Sequence, residues 1–199
     1  ANGSKDNEET GVKLTFKHML SQIEVKAKNT NDTYIYKVKG VCIGEIPSTA
    51  DLVLSPTVTW SNFSNKLTFS DTCDEITLDD NAVSIMNATA GNAMLIPQQT
   101  LTSWAVATDK ENTNQGAYLG VYLQITTQAG NVVYPRNTDT EYGYACIPFP
   151  NETKWQEGQH YIYTLDFSNG AGYVDPTIDP EGNEPNQPGD PILGGAIKF

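Results

Sequence analysis

A strictly alternating aromatic run in the last quarter of the sequence most narrows the folds open to this chain. Large apolar residues occupy every second position there, at Tyr161, Tyr163, Leu165 and Phe167. This two-residue period is that of a β-strand with one buried face. Gly158 precedes the run and predicts a turn, and Trp155 stands before the glycine. The stretch therefore predicts sheet, and nothing of similar strength in the sequence predicts chemistry.

Most of the remaining chain shows the same period in short segments separated by turn residues. The predicted strands cover residues 12–17, 23–28, 34–43, 51–54, 58–60, 66–69, 75–78, 93–97, 104–107 and 117–126. A change of apolar phase after Gly40 predicts a β-bulge, and a turn at Gly130 predicts a hairpin strand at 132–134. The unbroken apolar run at 93–97 predicts a strand buried on both faces. No segment keeps a helical period, so the sequence predicts an all-β sandwich of about seven or more antiparallel strands.

Composition divides the chain into three parts. Residues 11–168 hold the predicted strands and form the expected sandwich domain, whereas the polar residues 1–10 are expected to be a disordered or processed start. From residue 169 the sequence becomes acidic and rich in proline and glycine, which predicts an extended tether. A short terminal strand is expected after the tether, with the apolar residues Ile192, Leu193, Ala196, Ile197 and Phe199. A strand on a tether can pair with a sheet edge of its own chain or of another.

The charge balance argues against two classes of partner. Lysine and arginine total 12 and aspartate and glutamate total 24, so the formal net charge is −12. A surface this negative repels nucleic-acid backbones and anionic lipid. No apolar run approaches the roughly 20 residues that a membrane-spanning helix needs.

Residue types that carry catalysis or hold metals are few and scattered. The histidines are His18, on a strand break, and His160, which alternates with the aromatic face and is expected to point outward. Acidic pairs such as 74–75 and 79–80 could serve acid–base catalysis, but a solvated loop is the favoured interpretation. The acidic run at 175–184 offers hard oxygen ligands without the spacing of a calcium loop. We therefore predict no enzyme activity and no cofactor.

The three cysteines, Cys42, Cys73 and Cys146, lie far apart in the sequence. A structural zinc site requires four ligands at characteristic spacing, which these residues and two histidines do not supply. At most one disulfide is possible, and buried free thiols are the favoured interpretation.

Three tryptophans leave a second functional class open. Trp60, Trp104 and Trp155 occupy strand-like segments, where packing is the commoner role of an aromatic residue. If Trp60 or Trp155 is exposed, its ring could instead stack on a sugar, and the chain would be a glycan-binding surface module. The solvent exposure of the tryptophans distinguishes the two interpretations.

Three stretches that occur in order carry a family resemblance. They are residues 12–25, with Leu14, Phe16 and His18; residues 93–98, with Met94, Ile96, Pro97 and Gln98; and residues 155–165, with Trp155, Gly158, Tyr161, Tyr163 and Leu165. Together they resemble the fimbrillin-like family of Bacteroidales surface proteins over roughly residues 12 to 170, and the match is to the second, C-terminal domain of such proteins. An upstream domain would then be missing from this chain.

The resemblance implies a transthyretin-like, Greek-key β-sandwich that is exported as a lipoprotein precursor to the cell surface. It implies a structural or adhesive subunit of a fimbria, as shaft, anchor or tip, that polymerises with other subunits by exchanging strands. Host or bacterial surface glycans and proteins are further candidate partners. Members are thought to mature by cleavage at an arginine near the N-terminus, and this chain departs from that pattern because Arg136 is its only arginine. The segment 192–199 is the predicted exchanged or edge-covering strand.

Overall fold

The computed structural model describes residues 18–54, 57–103, 116–135, 140–149 and 152–168, together with the backbone of two strands near the C-terminus. The strands are β1 Leu20–Lys28, β2 Tyr34–Val53, β3 Thr59–Thr77, β4 Val83–Ser84, β5 Met94–Pro97, β6 Gln99–Thr100, β7 Tyr118–Thr127, β8 Val132–Tyr134, β9 Gly143–Pro148, β10 Lys154–Trp155, β11 His160–Asp166, β12 Tyr173–Asp179 and β13 Ile192–Leu193. A 3-10 turn at Ala88–Ala90 begins at Asn87, whose side chain accepts hydrogen bonds from two backbone amides of the turn.

Two sheets contain most of these strands. The first sheet has the order β13-β12-β11-β1-β4, and β5 pairs with another part of β1. The second sheet has the order β3-β2-β7-β8, and β9 also pairs with β7. A small ladder joins β6 to β10.

The core lies between the inner faces of the two sheets. On β1 every second residue is buried, including Ile23 and Val25, both with no exposed area. On β7 the buried positions include Leu119 and Val121. At one end of the core the rings of Tyr36 and Phe167 pack with their centroids 5.1 Å apart. The predicted all-β sandwich is confirmed.

One ladder between named strands in the described chain is parallel. β1 and β11 run in the same direction, with Ile23 opposite Tyr161 and Val25 opposite Tyr163. The other ladders between named strands are antiparallel. The sequence predicted about seven or more antiparallel strands and did not predict this parallel pair. A parallel neighbour requires a long crossover, and here most of the sandwich lies between the two strands.

The short strands predicted between residues 34 and 78 are in fact two long ones. β2 has 20 residues and β3 has 19, and they pair as a ribbon with three register shifts. Each bulge changes which side chains face inward, which made one strand look like several. The bulge predicted at Gly40 is confirmed, and a Cβ there would lie 2.4 Å from the Asp71 backbone oxygen.

Three other expectations change. β5 is not buried on both faces, because Ile96 is buried but Leu95 is 64% exposed. The strands β9 and β12 were not predicted, and β12 lies inside the expected tether. Pro176 is compatible with that strand because it lies beyond the part of β12 that pairs with β13, and edge strands tolerate proline. The strands expected at 12–17 and 104–107 lie outside the described residues.

Candidate functional site: the C-terminal sheet edge and the tryptophan cleft

The three stretches that carry the family resemblance meet at the turn before β11. The Gly158 amide donates to the Leu20 oxygen at 3.1 Å, which joins the turn to the first stretch. The Gln98 Oε1 accepts from the Glu157 amide at 3.1 Å, which joins the turn to the second stretch. Gly158 has a φ of 68°, and a Cβ there would lie 3.4 Å from the His18 backbone oxygen. Leu14 and Phe16 lie outside the described residues.

Trp155 is the centre of a buried aromatic cluster. It is 2% exposed, and its Nε1–H donates to the Tyr163 hydroxyl at 2.8 Å. Phe149 packs edge-on against the rings of both residues, with centroids 5.7 Å from Trp155 and 5.3 Å from Tyr163. Burial raises the pKa of Tyr163. At 2% exposure Trp155 has too little free ring surface to stack on a sugar, which argues against Trp155 in the alternative stacking role.

The remaining motif residues lie along the first sheet. Met94 and Ile96 are on β5, opposite Ile23 and Ser21 of β1, and Pro97 ends that strand. The Tyr161 hydroxyl accepts from the Gln156 amide at 3.0 Å. The inward-facing positions Ile96, Tyr161 and Leu165 belong to the core.

The C-terminal strands form one edge of the first sheet. β12 pairs with β11 from Asp166 opposite Tyr173 to His160 opposite Asp179. β13 then pairs with the first two residues of β12, with Leu193 opposite Tyr173 and Ile192 opposite Val174. In the described chain no strand covers the outer edge of β12 beyond Val174. Of the predicted exchanged strand, Ile192 and Leu193 lie at this edge, and Ala196, Ile197 and Phe199 lie outside the described residues.

The second sheet has a different kind of edge at β3. β3 is the outer strand there, but its ladder with β2 contains the three register shifts already noted. Asn62 and Asn65 also adopt positive φ values of 54° and 53°. Bulges and local twists of this kind hinder the addition of another strand. The C-terminal edge, where β13 pairs with β12 at two positions among the described residues, is the better candidate for strand addition.

The tryptophan cleft lies beside the far end of the β2–β3 ribbon. We use this name for the depression of about 290 Å³ whose lining residues are Trp60, Phe63, Gln98, Gln99, Thr100, Lys154, Trp155 and Gln156. Unlike Trp155, Trp60 is only partly buried, and Phe63 is 37% exposed. The third tryptophan, Trp104, lies outside the described residues.

The cysteines are free thiols on the second sheet. Cys42 and Cys146 lie opposite Gly120 on the strands that flank β7. A Cβ on Gly120 would lie 2.6 Å from the Cys42 Sγ and 3.6 Å from the Cys146 Sγ. Two strand spacings separate the backbones of the cysteines by about 9.6 Å, beyond the ~7 Å limit for a disulfide. The pKa of Cys42 is raised to about 11, first by burial and then by the charge of Cys146.

Charged residues on the described strands form surface ion pairs. Glu75 accepts from Lys37 at 3.0 Å and also from the Tyr142 hydroxyl, and these hydrogen bonds, led by that of Tyr142, lower the pKa of Glu75 to about 2. The His160 Nε2 lies 3.4 Å from the Glu24 Oε2, and His18 is exposed.

Within the described ranges no three histidine, cysteine or acidic side chains group as a metal site. No helix of the described chain is long and apolar enough to cross a membrane.

A two-sheet β-sandwich is an architecture that many structural and binding modules share. The sequence profile of the fimbrillin-like family matches residues 1–180, and the chain belongs to this family. The family resemblance noted in the sequence is thereby confirmed. Proteins of the family are typically structural, and membership supports a fimbrial or adhesion subunit at the cell surface.

A solved structure with some likeness is that of a candidate cell adhesion protein from Bacteroides ovatus. The sequences are 12% identical, the TM-score is 0.35, and the match covers 84% of this chain and 46% of that one. This chain thus spans less than half of that protein's length. No curated protein matches the sequence.

Proposed function

We propose that this chain is a structural or adhesive subunit of a cell-surface fimbria and that it assembles with other subunits by β-strand complementation. The observation that carries the proposal is the position of β13 on the edge of β12, where the described residues pair at Tyr173–Leu193 and Val174–Ile192. Export as a lipoprotein and a place in the shaft, anchor or tip are part of the same proposal and rest on family membership.

Covalent geometry supports an exchange of β13 between subunits. Residues 180–191 separate β12 from β13, and twelve residues span at most about 40 Å when fully extended. The segment is thus long enough to reach either its own β12 or that of a neighbouring subunit. A pairing in another subunit that is longer than the two described residue pairs would form more backbone hydrogen bonds and would compete with them.

Cross-linking at one registered pair tests this exchange. Val174 and Ile192 face each other across the β12–β13 ladder, and Cα atoms of such a pair are about 4.5–5.5 Å apart, which suits a disulfide. Val174→Cys and Ile192→Cys are placed on separate chains, which are mixed under mild oxidation. We expect a disulfide between the two chains, identified by mass spectrometry of the linked peptides.

Leu95→Cys is the matched control for Ile192→Cys, because Leu95 is 64% exposed and lies on β5, away from the C-terminal edge. Cross-linking of Val174→Cys that is no faster with Ile192→Cys than with Leu95→Cys would contradict exchange. Deletion of residues 192–199 provides a second test. The deletion should abolish assembly or lower the melting temperature, and a truncated chain that keeps both its oligomeric state and its melting temperature refutes the proposal.

A further inference from the structure

The tryptophan cleft combines an aromatic wall with a polar floor. Trp60 and Phe63 come from β3, near the tip of the ribbon. Gln99 and Thr100 come from β6, and Lys154, at the rim, comes from the paired strand β10. Thr100 pairs with Lys154 in that ladder. The cleft volume of about 290 Å³ is at the lower end of the range for small-molecule sites.

Two polar atoms at the cleft have no hydrogen-bond partner among the described residues. Gln99 is 8% exposed, and its Nε2 donates to the Pro97 oxygen at 3.1 Å and to the Pro47 oxygen at 3.4 Å. These bonds fix the amide, yet its Oε1 accepts none, and the Trp60 Nε1–H donates none. A buried polar atom without a partner costs about 1–3 kcal/mol, so a group that satisfies both atoms would be bound favourably. One unused atom is an acceptor and the other a donor, and a hydroxyl can serve both.

The charge of the cleft differs from that of the chain. The chain carries 24 acidic residues, but the described residues that line the cleft include none, and Lys154 is their one charged side chain. Lys154 is exposed, so it lies at the rim and not on the floor. An uncharged ligand therefore meets neither repulsion nor a strong ionic partner inside the cleft.

From these features we propose that the tryptophan cleft binds a neutral, hexose-sized saccharide unit. The ring of such a sugar packs its C–H face on Trp60 and Phe63, and its hydroxyls reach the Gln99 Oε1 and the Trp60 Nε1–H after a small side-chain adjustment. The site is separate from strand complementation, because its lining residues belong to neither β12 nor β13. Either proposal can therefore fail while the other stands.

The test measures binding of named sugars to the full 199-residue chain. Glucose, galactose, mannose, N-acetylglucosamine and glucuronate are titrated to about 10 mM, because a ligand of this size is expected to bind in the millimolar range. Saturation-transfer NMR and tryptophan fluorescence report binding. We expect at least one neutral sugar to bind, and Trp60→Ala and Gln99→Ala each to weaken it by about tenfold.

Two further variants separate stacking from folding effects. Trp60→Phe keeps an aromatic face and loses the N–H, so it should retain more affinity than Trp60→Ala. Tyr34→Ala is the control, because Tyr34 has the same 37% exposure as Phe63 and does not line the cleft. Loss of affinity in a variant counts only if its far-UV circular dichroism matches that of the unaltered chain.

Three results would overturn the proposal. The first is the absence of binding by every neutral sugar of the panel. The second is binding that Tyr34→Ala weakens as much as Trp60→Ala does. The third is binding of glucuronate alone that Lys154→Gln abolishes, since that would identify a surface charge site and not a stacking site.

Discussion

The contribution of the Trp155–Tyr163 hydrogen bond to stability can be tested by a substitution that removes a single oxygen atom. Tyr163 is 1% exposed and Trp155 is 2% exposed, and the bond between them is 2.8 Å long. Tyr163→Phe removes the acceptor and leaves the indole N–H buried without a partner. The cost of such an orphaned group is about 1–3 kcal/mol, whereas the cavity left by one oxygen is small. We expect the free energy of unfolding to fall by about 2 kcal/mol.

The assay is urea unfolding followed by far-UV circular dichroism, because tryptophan fluorescence would respond directly to the altered neighbour. For a chain of this size about 2 kcal/mol corresponds to a melting temperature roughly 4–8 °C lower. Trp155→Phe on its own and in combination with Tyr163→Phe completes a double-mutant cycle. The double variant should be less destabilised than the sum of the two single variants, by about 1 kcal/mol.

Tyr34→Phe is the control, because Tyr34 is 37% exposed and should change stability by less than about 0.5 kcal/mol. The reasoning fails if Tyr163→Phe unfolds at the same urea concentration as the unaltered chain with the same slope. It also fails if the two single variants are simply additive, since that would mean that the bond contributes nothing of its own.

Three shorter predictions concern the second sheet. Gly120→Ala should lower the free energy of unfolding in urea by about 1–3 kcal/mol through overpacking, because the added Cβ would lie 2.6 Å from the Cys42 Sγ. Adding Cys42→Ala should restore most of the lost stability. The Cys42 thiol is buried, and its pKa is raised to about 11. At pH 8 it should therefore react far more slowly with a disulfide reagent in the folded chain than in urea. Peptide mapping of the labelled chain measures the difference. The pKa of Glu75 is lowered from 4.5 to about 2, so its stabilising contribution is complete above pH 4.5 and is lost as the pH falls toward 2. Glu75→Gln should therefore flatten the fall in melting temperature across that window, and an unchanged pH profile would contradict the assignment.

The sequence predicted strands where one face meets the core without interruption. β11 is the clearest case, because the large apolar residues Tyr161, Tyr163 and Leu165 occupy its three inward positions. Its neighbour could not be predicted, since alternation shows which face is buried but not which strand lies alongside. The ribbon of β2 and β3 was divided into pieces because bulges reset the alternation. β9 was missed although Ala145 and Ile147 face inward, because two inward positions, one of them held by a small residue, are a weak signal.

The tryptophan cleft shows the same limit for a site. Trp60 and Trp155 both stand in strand-like sequence, yet one is partly exposed and the other is buried. Their surroundings decide the difference: Trp155 packs against Phe149, whereas Trp60 lies near the tip of a ribbon. Gln99 is some forty positions from Trp60 in the sequence, and no local pattern indicates that its amide lies at the same cleft. Only the folded ribbon brings these groups together.

The parallel ladder of β1 and β11 has a mechanical consequence when the domain is under tension. Tension that enters at the start of β1 and leaves at the end of β11 pulls the two strands in opposite directions along their length. The ladder from Gln22–His160 to Lys28–Asp166 would then be loaded in shear, with its hydrogen bonds sharing the force. Tension that leaves through the end of β12 instead would open the antiparallel β11–β12 ladder one residue pair at a time. Under load the terminal strands would therefore peel away first, and the β1–β11 pair would set the force at which the domain gives way.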